Sequence, residues 1–150
     1  MNDELFKALY EIMIFFNQPQ HDQQLLMAAG VKVNPSLFPL LVHIGMQPSS
    51  AIGTLAALIG RSYSAVSRQA DQLESAGLVR SKAASRDNRS RVLRLTETGK
   101  TLLNRIDDAR RQEMEKRLAD WTTDDLAQLL KSMHHLADTL KKPNHSKVGK

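Results

Sequence analysis

Apolar positions near the start of the chain follow a helical period. One face of residues 4–16 is formed by Leu5, Leu9, Ile12 and Phe16. Further apolar residues lie on its other sides, and a helix that is apolar on most sides must be covered on most sides. The next stretch, residues 17–33, is polar at first and contains the helix breakers Pro19 and Gly30, which predicts a turn-like connection.

The middle of the chain predicts three helices. Asn34 before Pro35 is typical of an N-cap followed by a first-turn proline, and the apolar pattern behind them continues to Ile44. Two short helical segments follow, at residues 51–60 and 62–77. Only a tight turn separates them, and small side chains allow the two helices to cross closely.

The period changes to that of strands after Gly77, which is a suitable helix stop. Leu78 and Val79 begin one strand, and a basic loop follows. The segment RVLRL, residues 91–95, then alternates as a second strand. These features predict a β-hairpin with a positively charged tip.

Two long helices are predicted after the hairpin. Thr96 is suited to cap a helix that runs to about Leu118. Thr122 lies three residues before Asp125, which is a variant of the capping box, and opens a final helix that reaches Leu140. The tail, residues 141–150, is expected to be disordered.

This order of elements predicts a mainly α fold with a small β-hairpin wing, the winged helix-turn-helix. We expect a single domain over residues 1–150, in which residues 33–96 form the winged part. The flanking segments, residues 1–32 and 97–140, supply more apolar surface than one small winged domain covers, and are expected to form dimerisation helices.

Composition favours a cytoplasmic protein. The chain has 150 residues, of which 41% are hydrophobic and 25% charged, as is normal for a globular domain. It contains no cysteine, which excludes disulfides, thiolate metal sites and thiol redox switches. Its first residues are acidic where a secretory signal is basic, and no apolar run is long enough to span a membrane.

Positive charge is concentrated in one segment. The net charge of the chain is +5. Residues 80–94 contain six basic side chains and one acid, so the net charge of this segment equals that of the whole chain. A localised basic element is typical of a protein that binds nucleic acid. The alternative is that this basic segment is a solvated loop that binds nothing.

The start of the second helix of the tight pair is the expected reading element. Its N-terminal end would enter the major groove, where hydroxyls suit phosphate oxygens, arginine suits guanine and glutamine suits adenine. No acid occurs there before Asp71. The candidate DNA-binding residues in this segment are Arg61, Ser62, Ser64, Ser67, Arg68 and Gln69.

The wing supplies a second set of candidate DNA contacts. These residues are Lys82, Arg86, Asp87, Arg89 and Arg91. Arg89 is expected to reach a narrow minor groove, where the potential is most negative. Asp87 would repel phosphate if it were free, so we expect it to pair with a neighbouring arginine and to fix the shape of the loop.

Two stretches together resemble the multiple-antibiotic-resistance regulator (MarR) family. They are GTLAALIGRSYSAVSRQADQLESAGLVR and DNRSRVLRLTETGK. The family's wing signature is matched by Asp87, Arg89, Leu95, Thr96 and Gly99. The resemblance implies a homodimeric winged-helix regulator of transcription that often responds to a small aromatic ligand or an oxidant. Arg91 and Arg94 depart from it, because the family's strand is often apolar or small there, and the lack of cysteine argues against its thiol-oxidation branch.

No catalytic, metal or cofactor site is indicated. The five histidines are scattered, and the adjacent His134 and His135 point about 100° apart on a helix, so they cannot easily share an ion. No Ser-His-acid grouping or phosphate-cradling glycine loop occurs, which argues against an enzyme.

A small aromatic effector is a further expectation. Its candidate pocket is lined by Tyr10, Phe15, Phe38 and His43, because aromatic side chains suit adaptable apolar pockets and a tyrosine or histidine can supply a polar anchor. The alternative is that these aromatic side chains simply fill the core and the dimer seam.

The expected function is a dimeric, sequence-specific regulator, a repressor on double-stranded DNA, with a pseudo-palindromic operator. Two alternatives remain open. A winged-helix protein could bind RNA or DNA non-specifically, as an architectural protein. Excess random duplex would then displace it from any given site. A helical scaffold whose wing grips an acidic protein would bind no duplex even at low salt.

Overall fold

The structure, a computed structural model, describes residues 3–83 and 91–142. Its helices are α1 (Asp3–Phe16), α2 (Pro19–Ala28), α3 (Phe38–Gly45), α4 (Ile52–Ile59), α5 (Tyr63–Ser75), α6 (Glu97–Arg117) and α7 (Thr123–Lys141), with a 3-10 turn at Pro35–Leu37. Its strands are β1 (Ser50–Ala51), β2 (Val79–Ala83) and β3 (Arg91–Leu95). The chain divides into two compact units, Met1–Gln112 and Glu113–Lys150. The predicted mainly α fold with a small wing is confirmed.

The connection that we expected after α1 is a helix, so that prediction was wrong. Pro19 lies at the first helical position of α2, where its missing N–H and fixed φ are tolerated. Leu25 and Leu26 are buried, and they pack with Phe38 and Ile106 in a small core that joins α2, α3 and α6. Gly30, at φ 65°, ends the segment.

The predicted tight helix pair is confirmed as α4 and α5. Gly60 ends α4 in the left-handed conformation, at φ 71° and ψ 33°, which glycine adopts without strain. Ser62 then caps α5, since its hydroxyl accepts a hydrogen bond from the backbone N–H of Ala65 at 3.2 Å. The main core lies behind this pair and includes the fully buried Leu40, Leu41, Ile44, Ile52, Leu55, Val66, Ala70 and Leu73.

The predicted hairpin is confirmed, and a third strand completes the sheet. β3 lies in the centre and pairs antiparallel with β2 on one side and with β1 on the other. Val79 faces Leu95, and Ser81 faces Leu93, so the buried side chains share one face. β1 contributes only Ser50 and Ala51, and two residues carry no periodicity from which a strand could be predicted.

The first turn of α6 is fixed at the base of the wing. As predicted, Thr96 caps this helix: its hydroxyl accepts from the N–H of Gly99 at 3.0 Å and donates to the carbonyl of Gly77 at 2.6 Å. A Cβ on Gly99 would lie 2.1 Å from the carbonyl oxygen of Leu78, so only glycine fits this approach of two backbones.

The unit from Glu113 onward contains the end of α6 and the whole of α7. The predicted capping box is confirmed, because the hydroxyl of Thr122 accepts from the N–H of Asp125 at 3.2 Å and Asp125 accepts from the N–H of Thr122 at 3.1 Å. No residue of α7 is buried. Its exposed apolar side chains are Leu126, Leu129, Leu130, Met133 and Leu140.

We predict that Gly99→Ala destabilises the protein by about 1–3 kcal/mol, because the new methyl group must displace the Leu78 carbonyl. Urea unfolding followed by circular dichroism measures this change. The matched control is Gly53→Ala in α4, where a Cβ meets no atom within 4 Å. This control should gain up to about 1 kcal/mol from the better helix propensity of alanine. Equal stability of the two variants would contradict the role assigned to Gly99.

Candidate nucleic-acid interface

The first two turns of α5 present an exposed polar face. Ser64 and Arg68 lie one turn apart and are both exposed. The helix begins at the Ser62 cap, and its first turn contains no acidic residue. Free N–H groups and the positive end of the helix dipole lie at this end and favour phosphate. The sequence-predicted reading element therefore has an accessible surface of the required chemistry.

Two of the predicted contacts, Arg61 and Gln69, are bonded to each other. Arg61 Nη1 donates to Gln69 Oε1 at 2.9 Å, and Gln69 Nε2 donates to the carbonyl of Ser36 at 3.3 Å. The same arginine nitrogen lies 3.5 Å from that carbonyl. This cluster, which we call the Arg61 network, joins the helix pair to the 3-10 turn before α3. Reading a base with Gln69 would require it to give up these two bonds.

Arg91 is held by two carboxylates on α5. Its Nη1 donates to Asp71 Oδ1 at 2.8 Å and its Nη2 to Glu74 Oε2 at 3.3 Å. It also donates to the hydroxyls of Ser67 and Ser81, each at 3.3 Å. This cluster, which we call the Arg91 clamp, connects β3 to α5. Arg91 therefore positions the wing, and Ser67, another predicted contact, serves as one of its acceptors.

Glu74 is the most constrained acid of the clamp. The backbone N–H and the hydroxyl of Ser81 both donate to its carboxylate, at 3.1 and 2.8 Å. These two hydrogen bonds, and more weakly the charge of Arg91, hold the pKa of Glu74 below its ordinary value, while desolvation and the neighbouring Asp71 act in the opposite direction. The carboxylate is therefore kept ionised as part of the clamp.

The sequence could have indicated the acids of the clamp only in part. Ser67, Asp71 and Glu74 are spaced by four and three residues, which places them on one face of α5. Their partner Arg91 lies 17 to 24 residues away along the chain, and no local pattern predicts that pairing.

The tip of the wing lies outside the described residues. The predicted contacts Arg86, Asp87 and Arg89 belong to this segment, residues 84–90, and the pairing expected for Asp87 stays a prediction. Lys82 is described, and it is exposed near the end of β2.

The predicted pocket residues do not all meet. Phe38 and His43 line one cleft of about 550 Å³, together with Phe16, Asp22, Arg61 and Arg110. Tyr10 is 55% exposed and stacks on Phe6, with ring centroids 6.5 Å apart. The ring of Phe15 packs on that of His21, with ring centroids 4.1 Å apart. Neither Tyr10 nor Phe15 is among the residues that line this cleft.

Charged groups give the cleft its polarity. Arg61 and Arg110 lie on its wall, and Asp22 is the acid there. Burial raises the pKa of Asp22, and the nearby His21 lowers it by a smaller amount. The cleft thus combines apolar walls with two cationic side chains.

The described residues contain neither a metal-binding cluster nor a membrane-spanning helix. Among residues 3–83 and 91–142, no group of three or more histidine or acidic side chains could hold a metal ion. Within that part of the chain, no helix is long and apolar enough to cross a membrane.

Comparison with known proteins agrees with this geometry. The model of the MarR family matches residues 33–90. A MarR family protein from Bacillus stearothermophilus has 19% identity and a TM-score of 0.76, over 95% of this chain and 99% of the other. The apo form of wild-type MarR from E. coli has 17% identity and a TM-score of 0.68, over 86% and 94%. No curated protein matches the chain.

A third structure gives the same result. The MarR-family transcriptional regulator from Silicibacter pomeroyi has 20% identity and a TM-score of 0.67, over 91% of this chain and 90% of the other. The chain is therefore a winged helix-turn-helix protein. Residues 33–90 match the model of the MarR family, and the fold over nearly the whole chain is similar to that of solved MarR family proteins, so the resemblance inferred from the motifs is confirmed.

We predict that Ser81→Ala moves the pKa of Glu74 back toward its ordinary value, because one of its hydrogen bonds is lost. A folded-state pKa that is depressed stabilises the protein above the unfolded pKa, and this stabilisation is lost as the pH falls through the folded pKa. The variant should therefore lose less stability on acidification than the parent. Carboxyl NMR titration and urea unfolding from neutral to acid pH measure both effects.

The control for this prediction is Ser75→Ala, which removes an exposed hydroxyl from the residue next to Glu74. It should leave the Glu74 titration unchanged. If Ser81→Ala also left it unchanged, the hydroxyl of Ser81 would not contribute to the low pKa of Glu74.

Proposed function

We propose that this protein is a dimeric, sequence-specific DNA-binding regulator that represses transcription from a pseudo-palindromic operator. The observation that carries the proposal is the exposed face of Ser64 and Arg68 at the start of α5, beside a cation-rich hairpin. A dimer bound over its operator excludes other proteins from the same DNA, and repression is the expected result.

The contacts divide into base readout and backbone binding. Arg68 is exposed and is the proposed base-reading side chain, since arginine bonds guanine in two places. Ser62 and Ser64 are suited to phosphate oxygens at the helix start. On the wing, Lys82 and Arg89 are proposed to bind phosphate and the minor groove.

Exposed apolar helices support the dimer. α1 has no buried residue, and the exposed fractions of Phe6, Met13 and Phe16 are 62, 57 and 59%. α7 likewise has none, and Leu130 and Leu140 are 59 and 74% exposed. Apolar surface of this extent marks a protein interface. A second copy of the chain would cover it, and two-fold symmetry would place two reading helices about one DNA turn apart.

We predict that selection of bound duplexes from a random pool yields a pseudo-palindrome, and that Arg68→Ala relaxes the preference at particular base pairs in each half. The substitution should cost about 1–3 kcal/mol per half-site, because a bidentate base contact is lost. Titration of the selected duplex, in the presence of excess random duplex, measures the affinity.

The matched control is Arg111→Ala on α6, which removes one exposed arginine that pairs with Asp108. It should bind the selected duplex as the parent does. Loss of the complex to excess random duplex would instead identify a non-specific architectural protein, and no duplex binding at low salt would point to an acidic protein as partner. A sedimentation experiment that found a monomer with full affinity would contradict the dimer.

Regulation by a small aromatic acid is the second part of the proposal. The cleft that contains Phe38 and His43 has apolar walls for a ring and two arginines for a carboxylate, of which Arg110 already pairs with Asp107. Arg61 belongs both to this cleft and to the Arg61 network on α5. An acid that bonds Arg61 Nη1 would compete with Gln69 and Ser36 for this nitrogen, and would thereby loosen the start of the reading helix.

We predict that planar aromatic acids weaken the protein–DNA complex by one to two orders of magnitude at most. A tenfold preference for one form corresponds to only about 1.4 kcal/mol, so weak ligands are sufficient. His43→Ala and Arg110→Gln should each reduce this effect, since both side chains line the cleft. Titration of a panel of such acids into the complex measures it.

Tyr10→Ala is the control for the acid titration. Tyr10 is exposed and does not line the cleft, so this variant should respond as the parent does. If no compound weakened the complex, or if His43→Ala and Arg110→Gln responded like the parent, this cleft would not be the switch.

A further inference from the structure

Asp71 shares the exposed face of α5 with Ser64 and Arg68. Successive residues of an α-helix turn by about 100°, so Asp71 lies about 20° from Ser64 around the helix axis and about 60° from Arg68. Its side chain is 62% exposed. Together with the half-buried Ser67, these residues occupy positions i, i+3, i+4 and i+7 of one helix face. A helix that lies in the major groove contacts base edges from positions with this spacing.

The charge of Asp71 is compensated without using the whole carboxylate. A free carboxylate on this face would repel the phosphates of a bound DNA. Arg91 Nη1 donates to Asp71 Oδ1 at 2.8 Å, which offsets the negative charge and fixes the direction of the group. Among the described residues no donor bonds Oδ2. Asp71 therefore keeps one oriented oxygen as an acceptor for another molecule.

Glu74, the other acid of the Arg91 clamp, is placed differently. It lies about 60° beyond Asp71 around the helix and about 120° from Arg68, on the side of Ser81 in β2. Both of its carboxylate oxygens accept from the protein. Oε1 accepts from the backbone N–H of Ser81 at 3.1 Å, and Oε2 accepts from the Ser81 hydroxyl at 2.8 Å and from Arg91 at 3.3 Å. Of the two acids, Asp71 is thus the one whose carboxylate has an acceptor left on the exposed face.

We propose that Asp71 is a second base-reading side chain of α5 and that it selects cytosine. The proposal rests on the proposed DNA-binding function. In the major groove cytosine presents its 4-amino group as a donor, and aspartate accepts from it. Adenine also presents an amino group, but its acceptor N7 lies beside that group and disfavours a carboxylate.

The position of Arg68 defines where this cytosine lies. Asp71 follows Arg68 by three residues, which is about 4.5 Å along the helix axis. Base pairs are spaced by about 3.4 Å along a DNA strand. The guanine that Arg68 reads and the cytosine that Asp71 reads should therefore lie within about two base pairs of each other.

The experiment compares Asp71→Asn with Glu74→Gln, which each remove one negative charge from a partner of Arg91. Bound duplexes are selected from a random pool with the parent and with each variant. The parent's site should contain the cytosine beside the guanine at which Arg68→Ala relaxes the preference. Asp71→Asn should change this cytosine to adenine, because asparagine bonds adenine in two places. Glu74→Gln should select the same site as the parent.

The affinity ratio of two duplexes gives the size of the effect. They differ only at the proposed base pair of one half-site, which is C·G in one duplex and T·A in the other. Thymine presents an acceptor where cytosine presents a donor. A single wrong base pair lowers the affinity by about 5- to 150-fold, and the parent should prefer C·G by a factor in this range. Asp71→Asn should lose this preference and Glu74→Gln should keep it, since a change in stability or wing position alters both affinities alike and cancels in the ratio.

The outcomes separate this inference from the proposed function. If the parent selected no duplex, the proposed DNA-binding function would be overturned, and this inference with it. A selected site without a cytosine near the guanine of Arg68 would overturn the inference alone. An Asp71→Asn variant that kept the parent's preference at every base pair would do the same, because Asp71 would then only hold Arg91. A variant that bound every duplex more tightly by one factor would also overturn it, and would show that Asp71 only repels phosphate.

Discussion

The junction at Gly99 is the constraint on which the placement of the wing depends. The N–H of Thr96 donates to the carbonyl of Leu78 at 3.0 Å, and the Thr96 hydroxyl reaches the carbonyl of Gly77. Four elements meet at these few atoms, namely the end of α5, the start of β2, the end of β3 and the start of α6. A side chain at Gly99 would separate them, so the direction of the hairpin relative to α5 is fixed by backbone contact.

The cations of this protein fall into two groups that a count of charge cannot separate. Arg61 and Arg91 are bonded inside the protein, to Gln69 and to the two carboxylates of the clamp. They hold other groups of the protein in position, and the donors that they use for protein oxygens are not available to an external phosphate. Arg68, Arg80 and Arg94 are exposed and without such bonds among the described residues, and they carry charge to the surface. Affinity and geometry are thus assigned to different arginines.

Local signals in the sequence predicted most of the fold. Interactions within a few residues determine three helix caps and one turn. These are the caps at Ser62, Thr96 and Thr122 and the turn at Gly60, and all four are confirmed. What the sequence did not predict depends on distant partners or on weak local signals. β1 is only two residues long and exists because β3 lies beside it. Likewise the helix α2 is weakly amphipathic and was mistaken for a turn, and only its packing on Phe38 and Ile106 shows why it forms.

The same limit applies to the candidate site, and Arg61 shows its physical origin. From the sequence it is a cation at the start of a reading helix, whereas in the fold it lies between a cleft and that helix. Its Nη1 bonds Gln69 and approaches Ser36, so an anion that took this group would do so at the expense of those contacts. The coupling is reciprocal, because any ligand that loosens DNA must itself be bound less tightly when DNA is present. In the proposed regulation, the guanidinium of Arg61 would link the cleft to α5 without a larger rearrangement of the core.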